Sequence, residues 1–146
     1  MKTRILGAAV GIAAVGGLLT AVPAQAEGLT SARVEWRTGA GSVRTTVDFT
    51  SRTRVVFRDF TVRDICPGDN LPVRAEVTWV HTDGSSGVGN RKADTNGCGP
   101  NGTNFGDFIR TGTKPLKYVF VKVCIYRVPD GDLICQAGEA HNNPYT

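Results

Sequence analysis

The chain has 146 residues, 17 basic and 13 acidic side chains, a formal net charge of +4 and four cysteines. That length admits one compact core and excludes two independent domains. Part of the positive charge belongs to the first residues: without Lys2 and Arg4 the basic count is 15 against 13. A net charge of about +2 excludes the usual basic nucleic-acid binder.

Met1 to Arg4 form a short basic region, and Ile5 to Val22 contain only small or apolar residues and one Thr. Pro23 and Ala24-Gln25-Ala26 follow, with small residues where a signal peptidase reads them. Residues 1–26 are therefore expected to be a cleavable secretory signal peptide, cut between Ala26 and Glu27, and residues 27–146 one domain outside the cell. The cleavage region has no cysteine, so a lipid anchor is excluded.

Beyond Glu27 apolar residues recur at every second position, which is the period of a strand. Ala32 to Arg37 and Val43 to Phe49, separated by Gly39-Ala40-Gly41, read as a first hairpin. From Arg54 to Val62 the apolar phase changes: Val55 and Phe57 lie on one phase, Phe60 and Val62 on the other. A β-bulge or a sheet-crossing strand near Arg58-Asp59 is expected. After turn residues at Cys66 to Asn70, Val73 to His81 form another strand with Val73, Ala75, Val77 and Trp79 inward.

Thr82 to Asn104 lack a sustained period and read as the longest irregular stretch; Phe105 to Thr111 read as a short strand. Leu116 to Val128 are apolar on both phases, as in a central strand covered on both sides. Pro129-Asp130-Gly131 mark a turn before a return strand from Leu133, and Ala140 to Thr146 an edge-lying or poorly ordered end. The aromatics Trp36, Phe49, Phe57, Phe60, Trp79 and Phe120 fall on phases assigned to the core. Six to eight short strands and no helical period predict an all-β antiparallel β-sandwich, immunoglobulin-like in outline.

Cys66, Cys98, Cys124 and Cys135 all follow the leader, and an even count in an oxidising compartment reads as two disulfides. Of three possible connectivities, the last hairpin favours Cys124–Cys135, because pairing Arg127 with Asp132 sets these two cysteines opposite each other. Cys66–Cys98 then follows by elimination. The cysteines are too far apart for a zinc motif.

Catalytic groups are sparse. His81, Asp83 and Ser85 are close in sequence, but no nucleophile elbow or oxyanion motif accompanies them, and no carboxylate pair stands out. Asp94-Thr95-Asn96-Gly97 starts like a calcium loop, with Asn101, Asn104 and Asp107 as further oxygens, and then breaks at Cys98-Gly99-Pro100. Asn101-Gly102-Thr103 matches a glycosylation sequon and reads as a turn. No enzyme activity, metal or cofactor is expected.

The bias of Arg over Lys, the cysteine spacing and the ending Asn142-Asn143-Pro144-Tyr145-Thr146 resemble small secreted proteins of actinobacteria; the resemblance brings no functional residue with it. Eight arginines between Ser31 and Arg74 make one half basic, a face suited to anionic wall polymers, acidic glycans or an acidic protein unless cross-strand carboxylates neutralise it. The expected function is a binding or adaptor module for another extracellular protein, such as a linking subunit of a toxin or lectin assembly, or for a cell-surface polymer. Arg91, Lys92, Asn101 and Asn104 are the expected contact-loop residues, and the run Glu27 to Trp36 is a strand able to join a partner's edge. The alternative is a protease inhibitor presenting Gly89 to Ala93 as an extended loop, resembling the two-disulfide inhibitors that actinobacteria secrete.

Overall fold

The computed structural model describes residues 27–37, 39–65, 71–128 and 130–146. The expected signal peptide, its cleavage site and Cys66 lie outside the described residues. Ten strands run in chain order: β1 Glu27–Trp36, β2 Gly39–Ser51, β3 Arg54–Ile65, β4 Val73–His81, β5 Ser86–Asp94, β6 Thr103–Asn104, β7 Phe108–Thr111, β8 Leu116–Tyr126, β9 Leu133–Ala137 and β10 His141–Asn142.

They form the expected antiparallel β-sandwich of two five-stranded sheets. In the first, β1, β2 and β3 meander, and β3 pairs on its far side with both β6 and β7. In the second, β4 lies between β5 and β8, and β8 carries β9 and β10 on its other side. The opening meander places three consecutive strands in one sheet, unlike the immunoglobulin order, which moves to the opposite sheet after its second strand.

The core lies between the sheets. Val43, Val47, Phe49, Phe57, Phe60 and Val62 meet Val73, Val77, Leu116, Val119, Val121 and Val123, all essentially without solvent contact. Burying such side chains contributes about 1.5–3 kcal/mol each, which makes this interface the principal source of stability.

The phase change in β3 is a bulge, as its sequence predicts. Arg44 pairs with Thr61 and Thr46 with Arg58, so Asp59 and Phe60 together oppose Thr45. Asp59 is left-handed, with φ of 52°, and the Thr45 hydroxyl donates to Arg58 O at 2.7 Å. Phe57 and Phe60 can therefore both point inward although three positions apart.

Several expectations are corrected, and ten strands among the described residues replace the six to eight expected. Gly39 to Gly41 begin β2 and are not the connector; Gly41 is glycine because a Cβ there would lie 2.5 Å from Val73. Thr82 to Asn104 are not continuously irregular, since they contain β5 and β6. β5 hides its period because Gly87 and Gly89 hold its inward positions: the Trp79 indole fills that space, and a Cβ on Gly87 would lie 2.6 Å from the ring. Lys92 also points inward, with its ammonium 5.5 Å from the Phe105 ring.

β8 is central in its sheet but covered on one side only: Val119, Val121 and Val123 are buried, while Tyr118 and Phe120 are half-exposed on the outer face. Trp36 is 43 % exposed at the end of the first hairpin and is not a core residue.

Cys124 and Cys135 pair directly across β8 and β9 and form the expected disulfide, with Arg127 N donating to Asp132 O across the turn. Cys98 is disulfide-bonded, and its expected partner Cys66 lies outside the described residues. The chain end lies along the sheet edge. β10 pairs with β8, and the buried Asn143 donates from Nδ2 to Ser51 O and Arg52 O, both at 3.2 Å. No helix among the described residues is long and apolar enough to cross a membrane.

Candidate functional site: a basic cleft on the outer face of the first sheet

With Val43 and Val62 directed into the core, strand alternation turns Ser42, Arg44, Thr61 and Arg63 outward. Register then sets Ser42 beside Arg63 and Arg44 beside Thr61, so two arginines lie diagonally on adjacent strands. The segment 99–102 folds back over β3 and adds Pro100 and Asn101. Together these six residues line a polar cleft of about 310 Å³.

The segment is held at several points. Gly99 N donates to Asp64 O at 3.3 Å, and Arg63 Nε donates to Gly99 O at 2.8 Å. β6 begins at Thr103, paired with Val62. The Thr103 hydroxyl donates at 2.7 Å to the buried carboxylate of Asp94, whose other oxygen accepts from Asp64 N.

Gly102 makes the close approach possible. Its φ is 68°, and a Cβ would lie 2.4 Å from Val62 O and 2.7 Å from the Arg63 Cβ. Arg63 is thus fixed by its Nε, leaving its terminal nitrogens for a ligand. Thr61 already donates its hydroxyl to Asp59 O at 2.9 Å and offers only an acceptor.

Charge around the cleft is uneven. Arg33 pairs with Glu35, and Arg58 pairs with Asp48 and Asp107, as a self-neutralised sheet face requires. Among the described residues Arg44 has no carboxylate partner, Arg63 is bound to a carbonyl, and no acidic side chain lines the cleft. Two cations, the Ser42 hydroxyl and the Asn101 amide therefore face one space without a counter-charge.

Of the four expected contact residues, only Asn101 belongs to this cleft. Arg91 is on the other sheet, in the bulged middle of β5, and donates from Nε and Nη2 to Glu76 at 2.9 and 2.7 Å. Gly89 to Ala93 are accordingly strand and not a protruding loop. Lys92 lies over Phe105 and Phe108. Asn104 pairs with Thr61, reaches Asp59 with its amide and accepts from Gly106 N.

β1 is an edge strand, paired along its length with β2. The Thr30 hydroxyl donates to Glu139 O, and the Ser31 carbonyl abuts Gly138, so residues 138–139 cover the middle of that edge.

The weighed catalytic and metal groupings are not assembled either. His81 is buried with Nδ1 at 3.1 Å from Pro115 O, whereas Ser85 binds Asp83. Lys114 donates to Asp83 at 2.7 Å and, with the Ser85 hydroxyl, holds that carboxyl far below its ordinary range. Asp94 spends both oxygens on Asp64 N, Asn96 N and Thr103, and Asp107 accepts from Asp59 N. No group of three metal-binding side chains occurs among the described residues.

Comparison with protein-family models, curated proteins and solved structures gives no match to this chain.

Proposed function

We propose that this chain is an exported, non-enzymatic binding module that holds an anionic cell-surface polymer in the cleft between β2, β3 and residues 99–102. The observation that carries this reading is the convergence of Arg44 and Arg63 on a cleft with no carboxylate in its lining among the described residues. Guanidinium groups without a carboxylate partner are suited to anions, because charge-assisted hydrogen bonds are about twice as strong as neutral ones. Export is supported by the basic and apolar character of residues 1–26 and by the Cys124–Cys135 bridge, which persists in oxidising compartments.

The test is co-sedimentation of the protein, disulfides formed, with cell-wall fragments before and after chemical removal of their anionic polymers. Binding is expected to the anionic fragments alone, and to fall steeply as salt rises from about 0.05 to 0.5 M, where screening shortens the range of charge interactions severalfold. Equal binding to stripped fragments overturns the reading. Capture of an acidic extracellular protein in place of wall material would identify an adaptor and overturn the polymer assignment.

A further inference from the structure

We infer that the group held in the cleft is a dianionic phosphate monoester borne on a sugar or polyol unit of that polymer, and not a carboxylate or a singly charged sulfate or phosphodiester. The inference rests on the anionic reading of the cleft and names its ligand.

Charge and donor number make the distinction. A carboxylate has two oxygens with about four acceptor sites, of which one arginine fork fills two. Here two guanidinium groups on adjacent strands face the same space, together with the Ser42 hydroxyl and the Asn101 amide. Such a set exceeds what a planar carboxylate can accept and matches a tetrahedral group whose three terminal oxygens carry close to two charges at neutral pH.

Size points the same way: about 310 Å³ is many times the roughly 30 Å³ occupied by one water in the liquid. The cleft therefore has room for more than a bare phosphate. Its one apolar wall, Pro100, lies beside Asn101, where a ring or polyol carbon chain attached to the phosphate can rest.

The pH dependence is a second handle. The cleft lining consists of Ser, Arg, Thr, Arg, Pro and Asn and contains no histidine. The charged groups around it are Arg33 with Glu35 on β1, Asp48 with Arg58 and Asp107, Asp59 beside Asn104, and the buried Asp64 and Asp94, to which Gly99 and Thr103 are tied. His81 and His141 belong to the other sheet. Histidine is the side chain that ordinarily changes charge between pH 5 and 8, so a change in affinity over that range reports the second ionisation of the ligand, near pH 6.

The experiment is a calorimetric titration of the protein, disulfides formed, with hexose 6-phosphate, hexose 6-sulfate, hexuronate and inorganic phosphate at pH 5 and pH 7.5. The hexose phosphate is expected to bind at least tenfold more tightly than the sulfate or hexuronate at pH 7.5, and to lose several-fold in affinity at pH 5. Arg44→Ala is expected to weaken it at least tenfold without changing the midpoint of thermal unfolding; Arg63→Ala is expected to weaken it at least as much and to lower the midpoint slightly, because its bond to Gly99 O is lost as well. Arg44→Lys should recover only part of the loss, because a lysine restores the charge but not the fork.

Equal affinity for phosphate, sulfate and hexuronate, with no pH dependence, overturns the dianion assignment and leaves the anionic cleft standing. Absence of binding by any anion overturns both. Inorganic phosphate binding as tightly as the hexose phosphate overturns the sugar or polyol part and assigns the cleft to the free ion.

Discussion

Replacing Gly102 by alanine is expected to destabilise the protein by about 2 kcal/mol, since a non-glycine residue forced into a sparsely populated backbone region costs about 1–3 kcal/mol. It is also expected to weaken anion binding more than tenfold. The two losses have one cause. Gly102 has φ of 68°, and an added Cβ would lie 2.4 Å from Val62 O and 2.9 Å from the Arg63 Cα, so the segment must lift from β3. Lifting it moves Gly99 O away from Arg63 Nε and Asn101 away from the cleft. Urea unfolding measures the first loss and calorimetric titration the second. A variant as stable as the parent that binds normally would mean that the segment neither bears on β3 nor shapes the cleft.

The second large effect is expected on the opposite sheet. Removing both cations around Glu76, as Arg91→Ala with Lys122→Ala, is expected to cost about 3 kcal/mol at pH 7, the scale of a buried charge stripped of its partners. The Glu76 side chain is 5 % exposed, with Lys122 at 2.5 Å from one oxygen and Arg91 on the other. Burial pushes this carboxyl up, and the hydrogen bonds and charges of Lys122 and Arg91 more than offset that, so it titrates below its ordinary value.

A carboxyl lowered in the folded state stabilises above its unfolded pKa, and the contribution is lost as pH falls through the folded value. In the double variant burial acts unopposed and raises the folded pKa. The stability difference between parent and variant is therefore expected to be largest at neutral pH and to shrink below about pH 4, near the unperturbed carboxyl value. Urea unfolding from pH 3 to pH 7 checks the sign: a difference that grows toward low pH contradicts this account of Glu76.

The parts of the fold legible in the sequence are those whose cause is local. The bulge in β3 is visible because Val55, Phe57, Phe60 and Val62 are all apolar, and only one extra residue in the strand lets all four face one core. The Cys124–Cys135 bridge follows from a hairpin only a few residues long. β5 was illegible because the groups that complete it come from elsewhere: Trp79 on β4 fills the space above Gly87 and Gly89, and Arg110 on β7 stacks 4.5 Å from the same ring. A strand whose inward positions are glycine and lysine has no hydrophobic alternation to read.

The cleft was partly legible. Arg44 and Arg63 stand out as members of a basic half, and Asn101 as part of a polar loop. Which arginines lack a carboxylate depends on register across three strands: Arg58 meets Asp48 diagonally across β2 and β3, while Arg44 is set beside Ser31 and Thr61. The return of residues 99–102 over β3 depends on contacts with Val62 and Asp64, about 35–40 positions earlier, and on the bond from Thr103 to the nearby Asp94. Gly102 was the available signal, because a glycine inside an Asn-Gly-Thr turn is also what a close backbone approach requires. Arg91 shows the reverse error: a basic residue in an apparently open loop that proves to be the partner of a buried carboxylate.

The most direct test of the cleft as the binding site is an amide and side-chain NMR titration of the protein, disulfides formed, with hexose 6-phosphate at pH 7.5. The account predicts saturable shifts confined to Ser42, Arg44, Thr61, Arg63 and residues 99–102, with the second sheet unmoved. Shifts centred on Arg91, Lys122 and the half-exposed rings of Tyr118 and Phe120, or no saturable shift anywhere, would contradict it.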